Sequence, residues 1–159
     1  MNIETIIEQA KKQGICVEWH KDMQQNPTLE NLCEMFFKGD DWAMDNNFPT
    51  PEMLRAFPET VHHGLFVDAS YQGSAPQRIA FFGGSDAVLD SDGYQVSEIY
   101  LRQNSRLKIT AKGMSKIFIT ALDNAVIEAK AMQNARIVIF DKRKTNNDAL
   151  EGNIKVIRN

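Results

Sequence analysis

A ten-residue period runs through the sequence between residues 104 and 143 and limits the folds that the chain can adopt. Aligned from Asn104, four successive segments read NSRLKITAKG, MSKIFITALD, NAVIEAKAMQ and NARIVIFDKR. Apolar and polar residues alternate within each segment, which is the side-chain period of a β-strand. The sequence therefore predicts strands of about six residues separated by tight turns. The fourth position is always a branched apolar residue, namely Leu107, Ile117, Ile127 and Ile137.

Two architectures fit strand-turn units of this length, a β-solenoid with two units per coil and an antiparallel meander or sandwich. In a two-residue hairpin at residues 123–124, Ile119 would oppose Glu128, which mixes inward and outward residues on one face. In a solenoid, residues twenty apart stack, so Ile119 would lie between Ile99 and Ile139. The pattern favours the solenoid and leaves the meander, with three-residue loops, as the alternative.

The turns carry their own prediction. Stacking twenty residues apart places Asn104 on Asn124, where side-chain amides can form a ladder. Asparagine or glycine at these corners also supplies the positive φ that a tight turn needs.

The first 60 residues have the patterns of short helices. Helices are predicted over 3–13 and 16–23, and a third begins at an Asn26 cap with Pro27 in its first turn. A fourth helix is predicted to begin at Thr50. The polar segment 39–49 is predicted to lack a long element and to contact the core through Trp42 and Phe48. Short strands are predicted at 64–70 and 77–83, a break in the repeat at 144–152, and a last strand at 153–159.

These patterns predict an α+β fold, in which a helical cap region at 1–60 precedes a β-rich repeat region at 61–159. The two regions are expected to form one compact unit, because open β-coils need caps over their exposed edges.

Two resemblances accompany this reading. Residues 84–141, with their alternation and their small residues after turns, resemble the short-rung β-solenoids of bactofilins and of the head domains of putative auto-transporter adhesins. The segment FFKGDDWAMDNNFPTPEMLR at residues 36–55 resembles an uncharacterised family of gut anaerobes and their phages or mobile elements, and this likeness runs through the whole chain. The first resemblance implies a solenoid. The second implies a phage-related origin and brings no functional residues.

Composition narrows the cellular setting. The 21 acidic and 18 basic residues give a net charge of −3, which argues against broad binding to nucleic acid or an anionic membrane. No stretch approaches the roughly 18–20 apolar residues of a membrane helix, and the N-terminus lacks a secretory signal pattern. Cys16 and Cys33 are predicted to be free thiols in a reducing compartment. We therefore expect a cytoplasmic protein, with the reservation that proteins of phage particles also lack signals.

An apolar stripe is the main candidate for an interaction surface. Outward positions twenty residues apart gather Tyr100, Phe118, Val138 and Phe140 on one side of the predicted solenoid. Exposed apolar patches of this kind indicate an interface. A second copy of the chain, another protein or a carbohydrate would fit it, and coverage by the chain's own helices or tail is the structural alternative.

The sequence contains residue types that bind metals but no metal-binding motif. Cys16 and His20 are four residues apart on a predicted helix, and Cys33, His62 and His63 could complete a zinc site. No paired cysteine or histidine motif is present, and Cys33 lies on the apolar side of its own helix. We predict no metal and no cofactor.

A ligand pocket is the remaining candidate site. Trp19, His20, Asp40, Asp41 and Trp42 are predicted to form a pocket wall between the helical cap and the β-region. The carboxylates lack the spacing of a calcium loop, and aspartates at helix and turn boundaries usually act as caps. No catalytic residue is therefore assigned.

The sequence favours a non-catalytic protein-interaction or assembly module, with a homo-oligomer or another protein as the partner. The alternative is a small-ligand-binding protein, or an enzyme, that uses this pocket.

Overall fold

The computed structural model describes residues 1–144 and 147–158. The chain divides into two compact units, Met1–Leu65 and Phe66–Asn159. In the first unit the helices are α1 (Ile3–Lys12), α2 (Val17–Gln25), α3 (Leu29–Lys38), α4 (Asp40–Asp45), α5 (Pro51–Ala56) and a 3-10 helix (Pro58–His63). The strands are β1 (Leu65–Val67), β2 (Ser70–Ser74), β3 (Arg78–Phe82), β4 (Asp86–Ser91), β5 (Val96–Leu101), β6 (Arg106–Ala111), β7 (Lys116–Ala121), β8 (Val126–Ala131), β9 (Arg136–Asp141), β10 (Ala149–Gly152) and β11 (Ile154–Arg158).

Helix α1 begins and ends where its sequence predicts. The Asn2 side chain accepts the backbone N–H of Thr5 at 2.9 Å, which satisfies one of the free donors of the first turn. The chain turns away after Gln13 at Gly14, whose φ of +86° is readily adopted by glycine. The apolar side of α1 packs against the other helices of this unit, and its buried residues are Ile6, Ile7 and Ala10.

The start of α3 differs from the prediction. Thr28, and not Asn26, is the N-cap, and its hydroxyl accepts the N–H of Asn31 at 3.1 Å. Asn26 instead ends α2, because its own N–H donates to the carbonyl of Asp22. A residue that ends one helix in this way lies too early in the chain to cap the next.

The segment 39–49 contains a helix that its polar sequence did not reveal. Helix α4 has six residues and carries Asp40 and Asp41 in its first turn. Carboxylates in a first turn stabilise a helix, because they lie at the positive end of its dipole. Trp42 and Phe48 pack edge to face with ring centroids 5.5 Å apart, in agreement with their predicted role as anchors.

The second unit contains a β-solenoid of about four turns, so the meander is wrong. Its strands form two parallel sheets in the orders β1-β3-β5-β7-β9-β11 and β10-β8-β6-β4-β2. Ile119 pairs with Ile99 on one side and Ile139 on the other, and Leu107 pairs with Ile127, which confirms the twenty-residue register. The inward side chains of successive coils form one apolar core.

The prediction for the corners of the solenoid is correct for glycine and wrong for asparagine. Positive φ occurs at three corner glycines, Gly83, Gly93 and Gly113, as predicted. At the other corners it occurs at Gln103, Asp123 and Gln133, one position before the asparagines. Their side chains accept backbone N–H groups from the coil twenty residues earlier. Gly83 donates to Gln103 Oε1 at 2.8 Å, Gln103 to Asp123 Oδ2 at 2.8 Å, and Gly113 to Gln133 Oε1 at 2.7 Å. This hydrogen bonding offsets the cost of a left-handed backbone at a residue other than glycine.

The predicted asparagine ladder is present beside these corners. Asn124 Nδ2 donates to Asn104 Oδ1 at 3.5 Å, at the limit of a hydrogen bond. The side-chain contact was predicted correctly, whereas the backbone role of these asparagines was not.

The ends of the repeat follow the prediction in part. The two predicted transition strands correspond to β1 and β3, and β2 lies between them. The predicted break at 144–152 contains a further strand, β10, which pairs with β8, and the predicted last strand is β11, which pairs with β9. Thr145 and Asn146 in that break, and Asn159 in the last strand, lie outside the described residues.

Candidate binding sites

The terminal coil is formed by β10 and β11, and each of these strands pairs on one side only within the described part of the chain. The N–H of Ile137 in β9 donates to the carbonyl of Asn153 at 3.1 Å. Because peptide groups alternate along a strand, Lys155 and Ile157 also direct their N–H groups toward β9. The N–H groups of Ile154 and Val156 therefore face the outer edge.

The apolar core is less well covered at this coil than in the coils before it. Ile137 and Ile139 are at most 1% exposed, and they pair with Ile154 and Val156. Ile154 and Val156 pack against the same core but are only partly buried. Leu150 in β10 is 40% exposed. The last layer of the core is thus partly exposed on the side that faces away from β8 and β9.

A buried ion network joins Asp141, Arg143 and Asp148 beside the terminal coil. Arg143 Nε lies 2.9 Å from Asp141 Oδ1, and Arg143 Nη2 lies 2.6 Å from Asp148 Oδ2. Arg143 Nη1 also donates to the carbonyl of Ala125 at 2.9 Å, and the N–H of Ile127 donates to Asp148 Oδ1 at 3.0 Å. The side chains of Asp141 and Arg143 are fully buried, so this pairing is needed to compensate for their desolvation.

The pKa of Asp141 reflects this balance. Burial alone would raise the pKa of the carboxyl, but hydrogen bonds from Arg143 and the charges of Arg143 and Arg158 hold it below its ordinary value. The sequence contained a signal for the network that the repeat analysis did not use. Asp141 occupies an inward position that Ala121 fills in the coil before, and a charge at such a position requires a buried partner.

The four residues of the predicted apolar stripe lie on one face of the first sheet. Phe118 pairs with Val138, and Tyr100 and Phe140 flank Thr120 in the next row. Tyr100 is only 4% exposed, and its hydroxyl donates to Glu98 Oε2 at 3.2 Å. The other three residues are half-buried. Tyr100 is thus not a free surface group, and the role of the stripe as an interface stays a prediction.

A cavity of about 310 Å³ lies within the helical unit. It is lined by residues of Met1–Leu65 alone, and its wall is made almost entirely of carbon and sulfur atoms. Aspartate, glutamate, lysine, arginine and histidine are absent from the wall, within the described residues. The hydroxyl of Thr60, which also lines it, donates to the carbonyl of Leu65 at 3.0 Å. The aromatic lining residues are Trp19, Phe36, Trp42, Phe48 and Phe57.

The two cysteines of the chain both line this cavity and differ in environment. Cys33 is buried, and burial raises the pKa of its thiol to about 12, so the thiol is neutral at physiological pH. Cys16 is exposed at the start of α2, and therefore the wall reaches the protein surface there. Both are free thiols.

The structure brings together only part of the predicted ligand pocket. Trp19 and Trp42 line the cavity, whereas His20, Asp40 and Asp41 do not. His20 Nε2 is buried without a hydrogen-bond partner among the described residues, and the Asp40 carboxylate accepts the N–H of Asp41 at 3.0 Å. The two tryptophans thus share a cavity, and a ligand-binding role for these five residues stays a prediction.

Within residues 1–144 and 147–158, no group of three histidine, cysteine, aspartate or glutamate side chains is arranged to hold a metal ion. His62 and His63, two of the residues considered for zinc, lie at the end of the 3-10 helix. None of the helices described is long and apolar enough to cross a membrane.

No family model, curated protein or solved structure matches this chain.

Proposed function

We propose that this protein is a non-catalytic assembly module that pairs with a second copy of itself through its terminal coil. The observation that carries the proposal is the incomplete cover of that coil, where Ile154 and Val156 are partly exposed and the outer strand edges lack a partner strand in the described residues. An open edge of this kind pairs readily with another strand. The terminal coil is therefore better suited to an interface than to contact with water.

The composition of the edge supports this choice. Native edges are commonly blocked by proline or by inward-pointing charges. Strand β11 has no proline, and its inward Arg158 is paired with Asp141, with Nε 3.3 Å from Oδ2. The inward positions before it are Ile154 and Val156, which pack on the core. Charged side chains, lysine above all, also block native edges. Strand β11 carries the outward Lys155 and is therefore open mainly to a strand that offers it an opposite charge.

The charges of the terminal coil favour a second copy as the occupant. Glu151 lies on β10, and Lys155 lies on β11, both at positions that face away from the core. A two-fold contact that sets β11 of one copy beside β10 of the other would bring these opposite charges together twice. Such a contact is self-complementary in charge, whereas an end of one sign would repel its own copy.

The test replaces one backbone donor at the free edge. Val156→Pro removes an N–H that faces away from β9, so it should block edge pairing without removing a hydrogen bond of the solenoid. Val156→Ala is the matched control, because it also shortens the side chain and keeps the N–H. Light scattering coupled to size exclusion, at several concentrations, should show a dimer for the native chain and for Val156→Ala, and an 18.0 kDa monomer for Val156→Pro.

Two outcomes would overturn the proposal. A native chain that is monomeric at all concentrations excludes self-assembly. Dimers that persist in Val156→Pro but are lost in Phe118→Lys would place the interface on the predicted stripe. Circular dichroism of each variant establishes that the solenoid is still folded.

The predicted setting forms part of the same proposal. The two free thiols support a reducing, cytoplasmic location. The phage or mobile-element origin rests on the resemblance of residues 36–55, and it remains a prediction.

A further inference from the structure

We propose that the cavity of the helical unit is a binding site for a small, uncharged, apolar molecule. This site is independent of the terminal coil, since every lining residue belongs to Met1–Leu65. The inference depends on the volume of the cavity, the chemistry of its wall and the residues that hold its walls apart.

The volume sets the size of the ligand. An engineered apolar cavity of about 150 Å³ stays dry and binds benzene. The present cavity has about twice that volume, 310 Å³, and lies at the lower end of the range of small-molecule sites. A hydrocarbon of about two aromatic rings fits this space.

The wall excludes charged ligands. A charged group would lose its hydration on entering, and the wall has no ionised side chain to compensate for that loss. The buried thiol of Cys33 is neutral, and the hydroxyl of Thr60 already donates to Leu65. The free energy of binding must then come from burial of apolar surface, at roughly 25 cal/mol per Å².

The two tryptophans in the wall are held in place by other residues of the lining. Trp19 lies against Gly39, where an added Cβ would be 3.0 Å from Cζ3 and 3.1 Å from Cη2 of the indole ring. Glycine thus permits this close approach, whereas a Cβ there would require the ring to shift by a few tenths of an ångström. Trp42 is fixed by its edge-to-face contact with Phe48. The space between these walls is therefore supported by packing, and the exposed Cys16 marks where the lining reaches solvent.

The chain offers a direct readout of occupancy. It has two tryptophans, Trp19 and Trp42, and both line the cavity. 1-Aminonaphthalene is a fluorophore of two fused rings that is uncharged at neutral pH, and it matches the inferred size. Titration into the full chain should quench tryptophan fluorescence and enhance probe fluorescence, with saturation at one probe per chain.

Filling the cavity should remove this binding. Ala43 lines the cavity and is 3% exposed, so Ala43→Phe places a ring in the space. We expect the probe to bind this variant more weakly by on the order of tenfold or more, because much of the apolar contact is lost. Ile15 is half-buried and also lines the cavity, so Ile15→Phe serves as a second filling variant if Ala43→Phe does not fold. Circular dichroism melting checks the fold of both variants.

Phe118→Lys is the control for binding elsewhere, because it changes an apolar residue of the solenoid and leaves the cavity intact. Unchanged probe affinity in Phe118→Lys, with loss in a folded filling variant, supports the proposal. Absence of saturable binding to the native chain overturns it. So does equal affinity in a folded filling variant, or loss of binding in Phe118→Lys.

Discussion

Gly93 and Gly113 occupy equivalent solenoid turns twenty residues apart, with φ angles of +63° and +66°. Their surroundings differ. A Cβ on Gly93 would meet no atom within 4 Å, whereas a Cβ on Gly113 would lie 2.7 Å from both the backbone nitrogen of Gly93 and Asp92 Oδ1. The same backbone conformation thus occurs in an open corner and in a crowded one.

This pair gives a prediction with an internal control. Both Gly93→Ala and Gly113→Ala carry the cost of a left-handed backbone, about 1–2 kcal/mol. Gly113→Ala must also displace main-chain atoms, so we expect it to lower the free energy of unfolding by at least about 1 kcal/mol more than Gly93→Ala. Urea denaturation of the two variants measures the difference. Equal losses would mean that the corner relaxes around the added methyl group.

At the scale of a single element, the end of β9 depends on one buried arginine. Arg143 contacts Asp141, Asp148 and the carbonyl of Ala125, and so it connects the end of β9 to an earlier coil. Removal of one charged partner from such a buried group is usually costly, because the remaining charge is left incompletely compensated.

The lowered pKa of Asp141 predicts how this element responds to acid. Because the pKa is lower in the folded chain, the ionised carboxylate stabilises the fold at pH values above its ordinary pKa of 3.8. That stabilisation is lost as the pH falls through the pKa of the folded chain. We expect Asp141→Asn to lower the free energy of unfolding by about 3–5 kcal/mol at neutral pH, and the deficit to shrink below a pH of about 4.

Urea denaturation of the native chain and of Asp141→Asn between pH 7 and pH 3 measures this deficit. Glu34→Gln is a suitable control, because Glu34 forms an exposed pair with Lys38 at 3.1 Å. Such a pair contributes at most about 1 kcal/mol. A deficit of Asp141→Asn that stays constant with pH would show that the carboxylate is not the source of the stabilisation.

At the scale of the whole molecule, the repeat was the most predictable part. Its strands follow from the alternation, and its twenty-residue register follows from the ten-residue period with two units per coil. A shift by one residue would turn Ile119 and Ile139 out of the core. Helix α4 was missed because six residues give too few turns to show a periodicity. The N-cap of α3 depends on where α2 ends, which local preference at Asn26 does not determine.

The candidate sites were less predictable for a related reason. The cavity is formed by side chains from several helices, so sequence spacing could suggest Trp19 and Trp42 as pocket residues but not the apolar character of the space. The network around Arg143 spans residues about twenty positions apart, and only the repeat register shows that Asp141 points inward. The repeat in the sequence identifies which residues face the core, whereas the residues that they contact depend on how the elements pack in the fold.

Assembly is also a property of the whole molecule, and a charge exchange tests its proposed geometry. In a contact that sets β10 beside β11 of a second copy, Lys155 and Glu151 carry opposite charges across the interface. Lys155→Glu should weaken the dimer, on the order of tenfold in the dissociation constant, because it places like charges together. Glu151→Lys should weaken it similarly, and it also removes an exposed pair with Lys130 at 3.8 Å, which contributes little to folding.

The double variant distinguishes this contact from a general effect of charge. When both residues are exchanged, the opposite charges meet again, so the dimer should regain most of its affinity, as measured by sedimentation equilibrium. Raised salt should reduce all of these differences, because the charges are exposed and screened. If the double variant is weaker than either single variant, the two residues do not meet across the interface. The copies would then have to pair through another arrangement of the terminal coil or through another surface.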